Sequence, residues 1–284
     1  MAKRLSWTAV NLCINMIPTK KIEMVLDKIE AVIRGTSFSN FKSWQKNDLS
    51  YVTSIDLELQ SRFVEIIRMA FPFHNILYEE GKQEYMTHQS EYTWVIDPID
   101  GTNNLVKGKN EFGSSVGLMY KQKFIAALVV FPLFNESYMA LTGIGIYKNG
   151  TSYGIPRVEV NRKSNGREKE IILCSKTFDS LKDYFSVREN EIPVTCYYCA
   201  TYSLLKVLKA EALLYHTINT KIYDVGPMSF VLSQAKINSY NQSAEPIAFK
   251  PTLDIIPFFI AAREAQCVEA FILRTGHWKS TFKK

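Results

Sequence analysis

Cysteine is scarce. The 284-residue chain has five, at 13, 174, 196, 199 and 267, an odd number widely spread. That pattern excludes a disulfide framework and points to a reducing compartment. Cys196 and Cys199 form a CxxC, but no second CxxC completes a zinc site. Within Val194–Cys199, read as a strand, their side chains also point to opposite faces. Glycine (13) and proline (10) are too few for a collagen-like or low-complexity chain, and no solenoid or propeller period is present. No apolar run approaches the roughly 18–20 residues that cross a bilayer. Nucleotide fingerprints are missing too: Gly143-Ile144-Gly145 lacks the third glycine of GxGxxG, and there is neither a GxxxxGK[ST] nor a GxSxG. The histidines (74, 88, 216, 277) are scattered and read as packing or surface residues. Leu5 to Ile17, after Lys3-Arg4, has some likeness to a signal peptide. Asn11 and Asn15 interrupt it, however, and no small-x-small site follows. Residues 1–20 are therefore expected to be an N-terminal extension or extra helix of a cytoplasmic protein.

What is present is ordinary for a globular chain: 46% apolar and 22% charged residues, enough to offset ordering entropy and exclude disorder as the main state. Lys and Arg total 34 against 28 Asp and Glu, a net charge of +6. The surplus slightly favours acidic partners such as nucleic acid or phosphorylated metabolites. The bases are dispersed and do not alternate with aromatics, so nucleic acid is possible but not favoured.

Periodicity predicts a helix over Lys21–Arg34, stopped by Gly35, and another over about Asp56–Ala70, closed by Pro72. Tyr92–Ile96 reads as a buried strand ending at Asp97-Pro98. Ser115–Tyr120, Phe124–Phe131 and Ser137–Leu141 read as an antiparallel meander, and Asn149-Gly150 as a hairpin turn. Beyond residue 150, strands at Ile171–Cys174, Val194–Cys199 and Ala212–His216 alternate with helices near Thr177–Tyr184, Tyr202–Ala210 and Val225–Ala235. The expectation is a layered α/β protein with an N-terminal half over about 21–150 and a C-terminal half over about 151–284.

One segment stands apart: Asp97-Pro98-Ile99-Asp100-Gly101-Thr102-Asn103-Asn104. Two carboxylates on a tight turn at a strand end converge beyond the sheet. With a backbone carbonyl they suit Mg²⁺, whose ligands are oxygens. Gly101 permits close approach, and N–H groups at the following helix start could hold phosphate oxygens. A plain helix-capping DxxDG turn is the competing reading. Glu79-Glu80 after Asn75–Tyr78 is either a solvated loop or a cation-binding pair, and Asp224 either an N-cap or a ligand. Thr53 and Asp56 have N-cap spacing.

Taken together these segments resemble the inositol monophosphatase family of Mg²⁺-dependent, lithium-sensitive phosphatases. Trp94 to Asn104 is similar to the family signature WxxDPxDGTxN. Asp48 to Asp56 is similar to DxVTxxD, Tyr78-Glu79-Glu80 to GEE, and Tyr223-Asp224-Val225-Gly226 to WDxA. The resemblance implies a five-layer αβαβα sandwich, usually homodimeric, binding two or three Mg²⁺. It implies metal ligation by Glu79, Asp97, the Ile99 carbonyl, Asp100 and Asp224. It further implies water activation by Asp56, Thr102 and Glu79, phosphate binding by Gly101 and Thr102, and support from Glu80 and Thr53. Thr217 stands where the family places a glutamate against inositol hydroxyls, and Lys236–Asn241 replaces a glycine-rich stretch. The implied activity is hydrolysis of a small phosphorylated metabolite, first an inositol or sugar monophosphate. The alternatives are an adenosine 3′,5′-bisphosphate type nucleotide, or an RNA- or transcription-associated protein keeping the fold. No membrane association is expected.

Overall fold

The computed structural model describes residues 18–83, 90–156, 163–164, 167–179, 181 and 192–275. Most of the N-terminal extension and the end of the helix expected near Thr177–Tyr184 lie outside the described residues. Residues 175–179 and 181 are helical.

The first helix, α1 (Thr19–Gly35), buries Ile22, Val25, Leu26, Ile29 and Ile33, a stripe at helical spacing. A short hairpin, β1 (Ser43–Gln45) and β2 (Tyr51–Thr53), leads into α2 (Ser54–Ala70), which buries Ile55, Leu59, Phe63 and Ile67. These two helices pack together on one face of a seven-stranded sheet. Its strands run in sequence order: β3 (Asn75–Tyr78), β4 (Tyr92–Asp100), β5 (Gly113–Tyr120), β6 (Lys123–Phe131), β7 (Glu136–Leu141), β8 (Gly145–Lys148) and β9 (Thr151–Ser152). Only β3 and β4 pair in parallel; the rest form the expected meander. Asn149 and Gly150, both at positive φ (49° and 74°), make the hairpin turn between β8 and β9.

After a small hairpin, β10 (Lys163–Ser164) and β11 (Arg167–Glu168), come β12 (Glu170–Leu173), β13 (Val194–Thr195), α4 (Ala200–Leu208), β14 (Ala212–Thr220), α5 (Ile222–Gln234), β15 (Asn238–Tyr240), β16 (Ile256–Ala262) and α6 (Ala265–Thr275). The second sheet has the order β13-β12-β14-β16-β15. The short α3 (Thr102–Val106) follows β4. Helices α4 and α5 touch both sheets, and α6 packs on the outer face of the second. The layers therefore read α1/α2, sheet, α4/α5, sheet, α6: the five-layer sandwich. The central apolar cluster joins Val129 and Phe131 to Leu204, Val225 and Phe259 across the middle helices.

Several boundaries differ from expectation, β14 for one running four residues past His216, and three of them bear on the site. Strand β4 does not end at Ile96; pairing resumes at Asp100↔Gly113 after an irregularity between Asp97 and Asp100. Pro98, which lacks an N–H, lies inside that irregularity, and its carbonyl accepts from Ser114 Oγ at 2.6 Å. Strand β13 stops at Thr195 instead of reaching Cys199, because the next residues bond to side chains of the 97–104 segment. Helix α5 begins at Ile222, three residues before the expected start. Its Pro227 cannot bond the Tyr223 carbonyl one turn earlier, and Ser115 Oγ donates to that carbonyl at 3.3 Å.

Two histidines are packing residues. His74 Nδ1 receives Trp94 Nε1 at 3.1 Å, and His216, 1% exposed on β14, lies between Phe258 and Phe271 with Nδ1 3.0 Å from the Phe259 carbonyl. Burial lowers the His216 pKa from its ordinary 6.5 to about 4, only partly opposed by the bond to Phe259. Between those values the unfolded chain binds the extra proton, so stability is complete above 6.5 and falls as pH drops toward 4. The expected loss between pH 7.5 and pH 5 is about 2 kcal/mol for this group. Urea unfolding of wild type and His216→Gln at both values checks it: the variant should lose less, and an equal loss would exclude the assignment.

Candidate active site

The acids expected to act together are carried by four separate elements. Glu79 and Glu80 follow β3, Asp97 and Asp100 end β4, Asp224 lies in the first turn of α5, and Asp56 in the first turn of α2. Glu79, Asp97, Ile99, Asp100, Gly101, Thr102 and Asp224 line one cavity of about 140 Å³, together with Tyr51 and Tyr198. A larger cavity, about 830 Å³, lies between the β5–β6 hairpin and the end of α5, and none of these acids lines it.

Asp224 and Asp100 are each held through one oxygen, and Asp56 through both. Asp224 Oδ2 accepts from Lys221 N (2.8 Å) and Thr220 Oγ1 (2.7 Å), the N3 partner of a capping arrangement and not the N-cap itself. Asp100 Oδ2 accepts from Thr201 N (2.5 Å) and Thr201 Oγ1 (2.8 Å). Asp56 Oδ2 accepts from Thr53 N (2.8 Å) and from Thr53 Oγ1, a reciprocal capping box, while its Oδ1 is 3.0 Å from Thr102 Oγ1. Thr102 Oγ1 is also 2.9 Å from the Ile99 carbonyl. Asp97 is the exception: it is fully buried, no N–H or hydroxyl of the protein donates to its carboxylate, and only the Glu79 carboxyl is close enough to share a proton with it.

Burial pushes the Asp97 pKa well above the usual carboxylate range, with repulsion from Glu79, Asp100 and Asp224 adding to it. Burial likewise raises Glu79 to about 8 against the pull of Lys46, and Asp224 to about 6, with repulsion from Asp100 second. Asp56 is raised by burial and drawn back by its bonds to Thr53 and Thr102. A site lined with such groups is set up for a positive charge.

Lys46, in the β1–β2 turn, supplies one such charge. Its Nζ lies 2.6 Å from Glu80 Oε1 and 3.2 Å from Glu79 Oε1. Burial opposes its charge, but the two glutamates outweigh burial and raise its pKa. Glu80 faces this lysine while its backbone N–H bonds Gln60 Oε1, which places it behind the cavity wall. The sequence reading missed Lys46, since its partners lie more than thirty residues away.

Gly101 has φ +90°, and a Cβ there would stand 2.9 Å from Cys199 Cβ and 3.0 Å from the Glu111 carbonyl, so only glycine fits. Thr217 is buried on β14 and lines an adjoining cavity of about 200 Å³, which shares Asn103, Tyr198 and Asp224 with the first. Among the described residues no group of three or more His, Cys, Asp or Glu side chains forms a preformed metal cluster. Glu79, Asp97, Asp100 and Asp224 share one cavity, while Asp56 and Glu80 stand outside its lining. The donor chemistry nevertheless fits a hard cation: carboxylates with free oxygens, a carbonyl, and the two oxygens of Asp97 that no N–H or hydroxyl serves.

The fold is that of the solved inositol monophosphatases. One such structure, an IMPase/NADP phosphatase complexed with Mg²⁺ and phosphate, is 20% identical, with a TM-score of 0.70 over 93% of this chain and 95% of that one. The sequence profile of the inositol monophosphatase family matches residues 17–235, and the chain belongs to that family. Curated relatives include the bifunctional phosphatase IMPL2, chloroplastic, of Arabidopsis thaliana, 35% identical over 119 residues, and the Nus factor SuhB of Pseudomonas aeruginosa, 36% identical over 107 residues. These matches cover 42% and 37% of this chain, and 34% and 40% of the relatives; the chain thus spans well under half the length of either.

Proposed function

We propose that the protein is a Mg²⁺-dependent phosphomonoesterase of small phosphorylated metabolites. The observation that carries this reading is the buried carboxylate of Asp97, served by no protein N–H or hydroxyl, among Glu79, Asp100 and Asp224, beside the Asp56–Thr102 pair. Glu79, Asp97, Asp100, Asp224 and the Ile99 carbonyl would hold the cation. The chemistry a bound Mg²⁺ supplies is neutralisation of charge on phosphate oxygens and acidification of water. Thr102 Oγ1 orients the attacking water and passes its own proton to Asp56 Oδ1 as it receives one, a transfer the 3.0 Å separation allows. The Gly101 and Thr102 N–H groups would bind the phosphate, and glycine at 101 lets the turn pack against Cys199 and the Glu111 carbonyl. Glu80 holds Lys46 beside Glu79 and so limits the excess negative charge there.

The test is phosphate release by the purified chain from a panel of inositol, sugar and nucleotide phosphates, with Mg²⁺ and with a chelator. Release should require the metal. No release from any ester, or release indifferent to chelation, would sink the reading. A role like that named for the Pseudomonas aeruginosa relative is the second reading, motivated by that kinship and the net charge of +6. It requires RNA or transcription-complex binding that persists when Asp97 is replaced.

A further inference from the structure

The carboxylate chemistry leaves Tyr198 unaccounted for. Its φ is +55°, a left-handed conformation that is costly for a bulky residue and persists only where the surroundings impose it. Here they do. On one side Asn104 Nδ2 donates to the Tyr197 carbonyl at 2.7 Å. On the other, Cys199 Sγ lies 3.3 Å from Asp100 Oδ2. Both anchors belong to the Asp97–Asn104 segment, so the loop is pinned to the acid turn and Tyr198 is held in the cavity wall.

Tyr198 remains 52% exposed although it borders both the acid cavity and the adjoining one. Lys109 Nζ stands 5.8 Å from its centroid. The adjoining cavity is lined by Ser175, Thr217, Asn219 and Lys176, and Asp224 is its only acid. A polyol is gripped most firmly by carboxylates that accept from its hydroxyls. This wall instead offers hydroxyl, amide and ammonium groups, with the buried Tyr215 and the exposed aromatic ring of Tyr198 beside them.

We propose that Tyr198 is a specificity-determining residue, its ring stacking on a planar ring in the leaving group, so that nucleoside phosphates are favoured over phosphates of acyclic polyols. The proposal rests on the phosphatase reading above and deepens it. Base–aromatic stacking tolerates any base, so selectivity is for the ring and not for its identity. The strained backbone is then the cost of placing the ring at the junction of the two cavities.

The experiment compares wild type, Tyr198→Phe and Tyr198→Gly with Mg²⁺, using AMP and glycerol 2-phosphate as probes. Glycine suits the positive φ, so the variant removes the ring without straining the loop, and thermal unfolding verifies folding. The ratio of kcat/KM for AMP to that for glycerol 2-phosphate should fall about tenfold or more in Tyr198→Gly and be kept in Tyr198→Phe. An unchanged ratio, or equal acceleration of both esters on removing the ring, overturns the proposal. If no variant turns over either ester, the phosphatase reading fails separately. Calorimetric titration with AMP then decides: binding about tenfold weaker in Tyr198→Gly sustains ring recognition, and equal binding overturns it.

Discussion

Replacing Asp97 by Asn should lower Mg²⁺-dependent phosphate release by about a thousandfold or more, equivalent to ~4 kcal/mol of transition-state stabilisation. The two side chains are nearly isosteric, so packing around a fully buried position is kept while the charge goes. Every other acid of the cavity has at least one oxygen held by a protein donor or, for Glu79, by the Lys46 ammonium. Asp97 has no such donor, and its close polar neighbour, the Glu79 carboxyl, disfavours ionising it. The metal-free Asn variant should therefore be more stable than metal-free wild type at pH 8, by about 1–3 kcal/mol. Wild type should gain thermal stability on adding Mg²⁺, as any ligand of the native state confers, and the variant should gain little. Activity assays and thermal scans with and without Mg²⁺ check both halves. Full activity in the variant, or an undiminished Mg²⁺-induced rise in Tm, would remove Asp97 from the proposed ligand set.

How much of this was legible in the sequence depended on how locally it was encoded. The stretch from Trp94 to Asn104 carries a buried strand, two acids and the obligate Gly101 within eleven consecutive residues, and all of it was readable in order. The meander was equally open, because its strands are long, β-rich and joined by short turns. The length of β4 was not. A bulge around Pro98 looks like a strand end to any reading of hydrophobic runs, since the pairing that resumes at Gly113 is a property of the partner strand. The end of β13 was hidden for the same kind of reason: its last expected residues are claimed by Asn104 and Asp100, about a hundred positions earlier. Strand β16 escaped notice because Pro257 interrupts its apolar run, yet β14 and β15 pair on either side of it. Lys46 and Tyr198 follow the pattern. Each matters through groups distant in sequence, and no spacing announces either.

Thr102→Val should lower kcat by about a hundredfold to a thousandfold while leaving KM for the ester within a few-fold. Valine matches threonine in shape but cannot carry a proton, so the change tests the hydroxyl alone. Two roles compete for that hydroxyl, since Oγ1 lies 3.0 Å from Asp56 Oδ1 and 2.9 Å from the Ile99 carbonyl. If it relays a proton to Asp56, the loss falls on kcat and the Mg²⁺ concentration for half-maximal rate stays put. If it only positions the Ile99 carbonyl, the Mg²⁺ requirement rises and kcat recovers at saturating metal. Thr102→Ser restores the hydroxyl and should recover most of the rate under the first role. Asp56 supports that role on physical grounds: burial raises its pKa and hydrogen bonds from Thr53 and Thr102 draw it back, so its carboxylate stays a usable proton acceptor inside the protein. Asp56→Asn cannot accept the proton and should match the kinetic loss of Thr102→Val. It would also weaken the cap of α2, where Asp56 bonds the Thr53 N–H, by about 1 kcal/mol. The two variants together should then lose little more than either alone, because they interrupt one relay. Multiplicative losses in the double variant would mean that the two residues act on separate steps.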